Sequence, residues 1–243
     1  MSLVSLDPAR TWQDAFDELA RHRGVIGRAL AAPAAAIVIA NLAVTMPDVG
    51  PATLFLTSLL SYAAYLMVAV SCHRILLLGE DSLPNEWGVY LGRRELRFVG
   101  WSLVIGLIAA PIFLVVAAVL SAFYGLEPSD PLAIATMTIV GLVACAYPVS
   151  RSSLVLPATA IDERPTIAGA WALSDGVGWP LALIVSLPGI AATVLDLGVG
   201  LLLPSGPGTN LVGSVLYLGF EVFGIAALSI AYRSLRRPRT VFS

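Results

Sequence analysis

The side chain best placed to do chemistry in this sequence is Glu221, which stands within an apolar stretch at residues 210–233. A carboxylate in apolar surroundings is costly to ionise, so it is expected to be protonated, paired, or exposed to a hydrated cavity. The functional interpretation of Glu221 is a site that binds a proton or a cation. The alternative is a neutral carboxyl that hydrogen-bonds to a neighbouring helix, for which Asn41 is a candidate partner. Asp196 is the other acid well inside an apolar stretch, but it lies nearer to an end, where solvation is the favoured interpretation.

A second set of candidate residues is found among the arginines, which supply all 14 of the Lys and Arg residues. Arg74, Arg151 and Arg233 each close a long apolar stretch, and a guanidinium group is well suited to bind phosphate. With Tyr147, they are predicted to form an anion or lipid site at one boundary of the membrane. Tyr147 precedes Pro148 and lies one turn before Arg151, so a proline kink would turn this arginine inward. The favoured alternative is an Arg151 side chain that extends outward to lipid phosphate.

The sequence has no arrangement typical of a catalytic or cofactor site. Gly-x-Ser-x-Gly, Walker A and His-Glu-x-x-His motifs do not occur. His73 lies near Glu80 and Asp81, but one histidine is too few for a typical zinc site, and His73 is predicted to be an interfacial polar residue. Cys72 and Cys145 are predicted to be reduced packing residues. We therefore expect no enzymatic activity, no catalytic residues, no metal and no cofactor.

The composition indicates that helices crossing a membrane carry these residues. The chain is 58% hydrophobic and 12% charged, with a mean hydropathy of +0.86, whereas soluble domains carry about 25% charged residues. Alternating strands typical of a barrel are absent. We predict an all-α, polytopic membrane protein with a single domain at residues 1–243. Six stretches are long enough to span the bilayer, and they lie at residues 25–46, 52–78, 98–123, 132–157, 178–203 and 210–233.

The distribution of charge predicts the orientation of these spans. The turns at residues 46–51, 124–131 and 204–209 contain no basic residue, and every arginine falls on the other side. Basic residues near short loops remain in the cytoplasm. We therefore expect both termini in the cytoplasm. The net charge of −2 argues against nucleic-acid binding, since topology already explains the arginines.

The residues before the first span predict an amphipathic helix at residues 7–23. Asp7 is suited to cap it and Pro8 to occupy its first position. Trp12, Phe16 and Leu19 recur at helical spacing, with charged residues elsewhere on the wheel. The favoured interpretation is a helix that lies in the membrane interface. The alternative is a helix docked on the inner face of the bundle.

A threefold repeat is predicted from two recurring features. Short segments that bear a tryptophan, at residues 11–16, 85–90 and 166–171, each precede an odd-numbered span, and each even-numbered span ends in Arg74, Arg151 or Arg233. The repeat predicts three helical hairpins, each preceded by a short interfacial helix on the cytoplasmic side. The alternative is coincidence, because topology alone places arginines near such ends.

Three sequence segments carry a resemblance to known proteins. They are His-Arg-Ile-Leu-Leu-Leu-Gly-Glu at 73–80, the run at 151–162 that contains Leu-Pro-Ala and ends in aspartate, and Tyr-Arg-Ser-Leu at 232–235. Together they resemble segments of the YciC-like family of uncharacterised bacterial inner-membrane proteins and of the membrane domain attached to some glycerophosphodiester phosphodiesterases. The resemblance implies a six-helix integral membrane protein located in a bacterial inner membrane. It implies no catalysis, because the sequence lacks the phosphodiesterase domain itself.

Two functions fit these observations. The favoured one is a non-enzymatic protein with a membrane-integrity, scaffold or accessory role. The alternative is a secondary transporter or small channel in which Glu221 binds a proton or a cation. The expected partners are membrane lipids with anionic headgroups, with other membrane proteins or further copies of the chain as additional candidates.

Overall fold

The structure is a computed structural model that describes residues 6–44, 46, 49–83, 85, 87–125, 130–204 and 206–236, with only the backbone of Pro131. The described residues form helices and irregular segments and no strand, so the predicted all-α class is confirmed. A 3₁₀ turn at Glu80–Ser82 follows the third helix. The helices are α1 (Pro8–Arg21), α2 (Arg23–Ala43), α3 (Pro51–Leu78), α4 (Arg93–Tyr124), α5 (Pro131–Ser153), α6 (Val155–Ala160), α7 (Ile167–Leu173), α8 (Gly178–Leu202) and α9 (Pro207–Arg236).

Six of these segments are long and apolar enough to cross a bilayer: α2, α3, α4, α5 together with α6, α8, and α9. Each coincides with a predicted span and differs from it by a few residues at either end. The chain therefore has the helices of a multi-pass membrane protein. The turns predicted at residues 46–51, 124–131 and 204–209 lie partly outside the described residues.

Helices that follow one another in the chain pack together. α2 contacts α3, α4 contacts α5, and α8 contacts α9, while α5 also packs against α8. α9 is the most connected helix, since it contacts α1, α2, α3, α6 and α8. Its buried residues lie mostly in its second half, from Ala226 to Tyr232, and those of α3 begin only at Ala64. The core is therefore concentrated towards the end of the bundle that carries the arginines.

The first helix begins where its capping residues predict. The Asp7 side chain accepts a hydrogen bond from the backbone N–H of Ala9 at 2.9 Å. α1 contacts α8 and α9, with Trp12 and Leu19 packed against the core, whereas Phe16 is 65% exposed. The docked arrangement, which was the less favoured alternative, therefore describes α1 better than a helix that touches only lipid.

The expectation of a short helix before every hairpin is wrong for the second one. α1 and α7 precede α2 and α8, but the described residues between Leu83 and Gly92 are not helical. Gly88 has a φ of +62°, which favours glycine and does not continue a right-handed helix. A Cβ at this position would lie 2.7 Å from the carbonyl oxygen of Ala29. The described part of this segment therefore packs closely against α2 in an irregular conformation.

Two prolines inside the spans, Pro33 and Pro188, free backbone carbonyl groups that other segments of the chain cover. Pro188 has no N–H, so it leaves the carbonyl of Ile184 without its helical donor. The indole Nε1 of Trp12 donates to this carbonyl at 3.3 Å. Pro33 frees the carbonyl of Ala29 in the same way, and Gly88 lies against it. Two of the carbonyls that prolines free are thus covered by the short segments at the arginine end.

Candidate functional site

A partly open cavity of about 380 Å³ lies between α3, α8 and α9 and also reaches α4, α5 and α6. We call it the inner cavity. Its lining is mainly apolar, but it includes polar side chains, among them Glu221, Tyr65, Tyr217 and His73. The sequence analysis proposed a binding role only for Glu221. A mostly apolar cavity with a few polar groups is typical of small-ligand sites.

Glu221 lies on α9 and is half-buried at the wall of the inner cavity. Tyr217 lies one turn earlier on the same helix and also lines the cavity, so its phenol lies close to the Glu221 carboxyl. The ring of Tyr65, from α3, meets the ring of Tyr217 edge-on with 6.3 Å between their centres. This arrangement places one carboxyl beside two phenol rings, which are a suitable lining for a proton or a small cation.

A second space, the outer groove, lies towards the arginine-free end and has a volume of about 460 Å³. Asn41 and Asp196 both line it. Tyr65 and Tyr217 line the outer groove as well as the inner cavity, so the two spaces meet at this tyrosine pair. The structure therefore brings the three predicted intramembrane residues to neighbouring spaces.

Asn41, which was a candidate partner of Glu221 in the alternative interpretation, has a different hydrogen-bond partner. The Asn41 amide donates instead to the hydroxyl of Ser214, with Nδ2 and Oγ 3.1 Å apart. Asp196 is exposed, and its Oδ1 lies 2.7 Å from the position that a Cβ on Gly213 would occupy. Asp196 can approach α9 in this way because Gly213 has no side chain. Its exposure agrees with the solvated interpretation.

His73 is buried, so its prediction as an interfacial polar residue is wrong. The side chain is 1% exposed, with Nδ1 2.7 Å from the Ser229 hydroxyl and the ring beside Phe98. The Ser229 hydroxyl donates to the backbone carbonyl of Ile225, so it can accept from the histidine ring. His73 therefore provides a polar group at the wall of the inner cavity while linking α3 to α9.

Arg74 lies in a network of charges at the arginine end. Its Nη1 donates to Asp162 at 3.0 Å and to the carbonyl of Ala160, and its Nε and Nη2 donate to the carbonyl of Ser82. Asp162 also forms ion pairs with Arg94 at 3.3 Å and Arg97 at 3.6 Å. One carboxylate therefore joins arginines from α3 and α4 to the segment after α6.

Arg151 does not extend outward to phosphate, as the favoured prediction had it. It is 8% exposed, its Nε donates to Ser174 Oγ at 2.9 Å, and its Nη1 donates to Tyr147 Oη at 3.0 Å. Its Nη2 donates to the carbonyl of Trp171, whose ring centre is 4.4 Å from the guanidinium carbon. No carboxylate among the described residues pairs with it. The inward alternative at Tyr147 and Pro148 is therefore the arrangement found.

Arg233 joins α9 to α1. Its Nη2 lies 2.9 Å from Glu18 Oε1. Burial by itself raises the pKa of Glu18, but the hydrogen bond and charge of Arg233, with Arg21 and His22, outweigh it and hold the pKa below its ordinary value. Arg74, Arg151 and Arg233 thus have different partners within the protein and do not share one anion site.

Three residues of these sites were missed from the sequence: Tyr65, Tyr217 and Asp162. The spacing of Tyr217 and Glu221, four residues apart, places both on one face of α9 and was a usable signal. Tyr65 and Asp162 reach their sites only through contacts between distant helices. No sequence pattern near Tyr65 or Asp162 predicts such a contact.

The described residues contain no group of three His, Cys, Asp or Glu side chains able to hold a metal ion. Cys72 and Cys145 are both buried and unbonded to each other. A comparison of the chain with protein-family models, with curated proteins and with solved structures finds no match. The resemblance to the YciC-like family and to the phosphodiesterase membrane domain therefore remains a prediction.

Proposed function

We propose that the chain is a non-enzymatic, multi-pass protein of a bacterial inner membrane that binds a proton or a small cation at Glu221. In this proposal the six spans form three hairpins and both termini lie in the cytoplasm. The contacts of α2 with α3, α4 with α5, and α8 with α9 support the hairpins. The single observation that carries the binding function is the position of Glu221 at the wall of a cavity, beside Tyr217.

The packing of the bundle favours access to Glu221 from the arginine-free end. At the arginine end the helices are tightly packed and joined by ion pairs of Asp162 and Glu18. Towards the other end, the first 13 residues of α3 contain no buried residue, and the outer groove meets the inner cavity at Tyr65 and Tyr217. A cation that enters through this groove would reach Glu221 after passing the two phenols. This arrangement corresponds to a transport protein in an outward-accessible state.

Flux measurements on the purified protein in liposomes test this proposal. The Glu221→Gln variant keeps the shape of the side chain but cannot become anionic, so it should lose most of any proton or monovalent-cation flux. Asp175→Asn is the matched control, because Asp175 is an exposed carboxylate at the arginine end and should leave flux unchanged. Flux that survives Glu221→Gln would contradict the assignment of the site.

A scaffold or membrane-integrity role is the second candidate function. It is favoured by the charged layer at the arginine end, where Asp162 joins Arg74 to Arg94 and Glu163 pairs with Arg236. Such a layer gives a rigid surface to which other membrane proteins could attach. The absence of flux in the wild-type protein, together with full rescue of a deletion phenotype by Glu221→Gln, would favour this role over transport.

A further inference from the structure

The surface of α4 carries a groove of about 870 Å³ that the proposed function does not use. We call it the α4 groove. Its polar end is formed by Arg93, Arg97 and Arg164. Its apolar part continues along the same face of α4, through Leu96, Gly100, Trp101 and Val104. The positions on α4 recur at intervals of three and four residues, so they form one continuous stripe on the helix.

The polar end of the α4 groove has more positive than negative charge. The side chains of Arg93 and Arg164 are exposed and form no ion pair within the described part of the chain. Arg97 shares the Asp162 carboxylate with two other arginines. Glu163 is the one acid that lines the groove, and it is engaged by Arg236 at 2.5 Å and by Tyr232 at 2.6 Å.

The position of these arginines makes an anion favourable. Arg93 and Arg97 are four residues apart on α4, and like charges at this spacing repel each other. They also lie in the first turns of the helix, where the backbone dipole favours negative charge over positive charge. A phosphate group bound between Arg93, Arg97 and Arg164 would relieve both effects.

The apolar part of the groove distinguishes a lipid from a free phosphate ion. Leu96 and Val104 are exposed, and Gly100 opens the surface between them because nothing lies within 4 Å of its absent Cβ. Trp101 packs against the core and forms a half-buried wall. A free phosphate ion would not contact this apolar surface, whereas the acyl chain of a bound lipid can lie along it and pack against the helix.

We infer that the α4 groove is a binding site for an anionic phospholipid, with its headgroup phosphate on Arg93, Arg97 and Arg164 and an acyl chain along Leu96, Gly100 and Val104. The site differs from the predicted Arg74, Arg151 and Arg233 set, whose members are occupied by partners within the protein. It does not depend on the function of Glu221.

Lipid titration followed by native mass spectrometry tests the inference on the full chain in detergent. The probes are phosphatidylglycerol and phosphatidylcholine with identical acyl chains. The wild type should bind phosphatidylglycerol more tightly. The Arg93→Gln/Arg164→Gln pair should weaken that binding roughly 10- to 30-fold, since each arginine near a lipid surface contributes about fivefold. Arg23→Gln/Arg28→Gln is the matched control, because it removes two exposed arginines outside the groove and should leave binding unchanged.

A third variant tests the apolar part of the groove. Gly100→Trp keeps every arginine and fills the open space, so it should weaken binding of phosphatidylglycerol without changing helicity or elution volume. Equal binding of the two lipids by the wild type, or an equal loss in the control pair, would overturn the site. Full binding in Gly100→Trp, with displacement of the lipid by inorganic phosphate at matched concentration, would show a free-phosphate site and overturn the lipid assignment.

Discussion

At the scale of single residues, Arg151 shows how the protein keeps a charge in a buried position. A buried cation usually requires a carboxylate, because removing it from water is costly. Arg151 instead donates to the Ser174 hydroxyl, the Tyr147 phenol and the carbonyl of Trp171, and it lies over the Trp171 ring. The planar guanidinium serves all these partners at once, so the residue connects α5 to α7.

Replacing Arg151 should destabilise the protein more than replacing an exposed arginine. Arg151→Met removes the donors and leaves the partners unsatisfied, which should cost about 2–3 kcal/mol in unfolding free energy. Arg151→Lys keeps the charge but loses the planar fork, so it should have an intermediate effect. Thermal unfolding in detergent measures both, with Arg10→Met as the exposed control. Equal melting temperatures for Arg151→Met and Arg10→Met would contradict the structural role.

At the scale of elements, α1 is held against the bundle by a few specific contacts. The Trp12 indole covers the Ile184 carbonyl that Pro188 frees, and Glu18 pairs with Arg233 at the end of α9. His22 lies near both Glu18 and Glu80, which connects the end of α1 to the 3₁₀ turn. The proline inside α8 and the position of α1 are therefore linked by a direct contact.

The contact between Trp12 and Ile184 predicts a measurable coupling with Pro188. Trp12→Phe removes the indole donor and should cost about 1 kcal/mol in unfolding free energy. Pro188→Ala restores a backbone N–H for the same carbonyl. In that background, Trp12→Phe should therefore no longer lower the free energy of unfolding through the loss of this hydrogen bond. A double-mutant cycle by thermal unfolding in detergent should give a coupling of about 1 kcal/mol. A coupling of zero would show that the indole does not compensate for the proline.

The Glu18–Arg233 pair predicts how the docking of α1 depends on pH. The pKa of Glu18 is lowered in the folded protein from its ordinary value of 4.5. The pair therefore stabilises the docked helix fully above that pH, and its contribution is lost as the pH falls through the lowered pKa. Hydrogen exchange of the α1 amides, corrected for the intrinsic pH effect, should rise by up to about fivefold at acidic pH.

Two variants distinguish this pair from other acids on α1. Glu18→Gln should show the faster exchange at every pH, since it has no carboxylate to pair with Arg233. Asp17→Asn, which changes an exposed neighbour, should behave as the wild type does. If Asp17→Asn abolished the pH effect and Glu18→Gln did not, the ion pair would not be its source.

At the scale of the whole molecule, the two ends of the bundle differ in chemistry. Arginines from α3, α4 and α9 meet acids from α1 and the segment after α6 at one end. The other end has the outer groove. Among the described residues that line it, Asp196 is charged and the other polar side chains are uncharged. We expect the arginine end to face the cytoplasm, because basic residues near short loops are retained there.

Cysteine labelling in intact cells tests this orientation. In a background with alanine at positions 72 and 145, Gly206→Cys should react with a membrane-impermeant maleimide added outside. Asp175→Cys should react only after the cells are opened, because it lies at the arginine end and is exposed there. The reverse pattern would place both termini outside.

The sequence by itself determined the fold class, the six spans and the common end of the arginines, because each depends on local composition and length. The Asp7 cap and the placement of Glu221 within a span follow from the same short-range information. The sequence did not determine the irregular backbone of the described residues near Gly88, where the segment lies against the distant Ala29 carbonyl.

Tertiary structure alone decided what each candidate residue faces. Arg151 and His73 lie near predicted span ends, where hydropathy favours an interfacial position, but packing between α5 and α7 and between α3 and α9 buries them. Tyr65 joins the Glu221 cavity only because α3 packs on α9. The physical reason is that burial and hydrogen bonding depend on neighbours far away in sequence, whereas hydropathy and charge describe each segment separately.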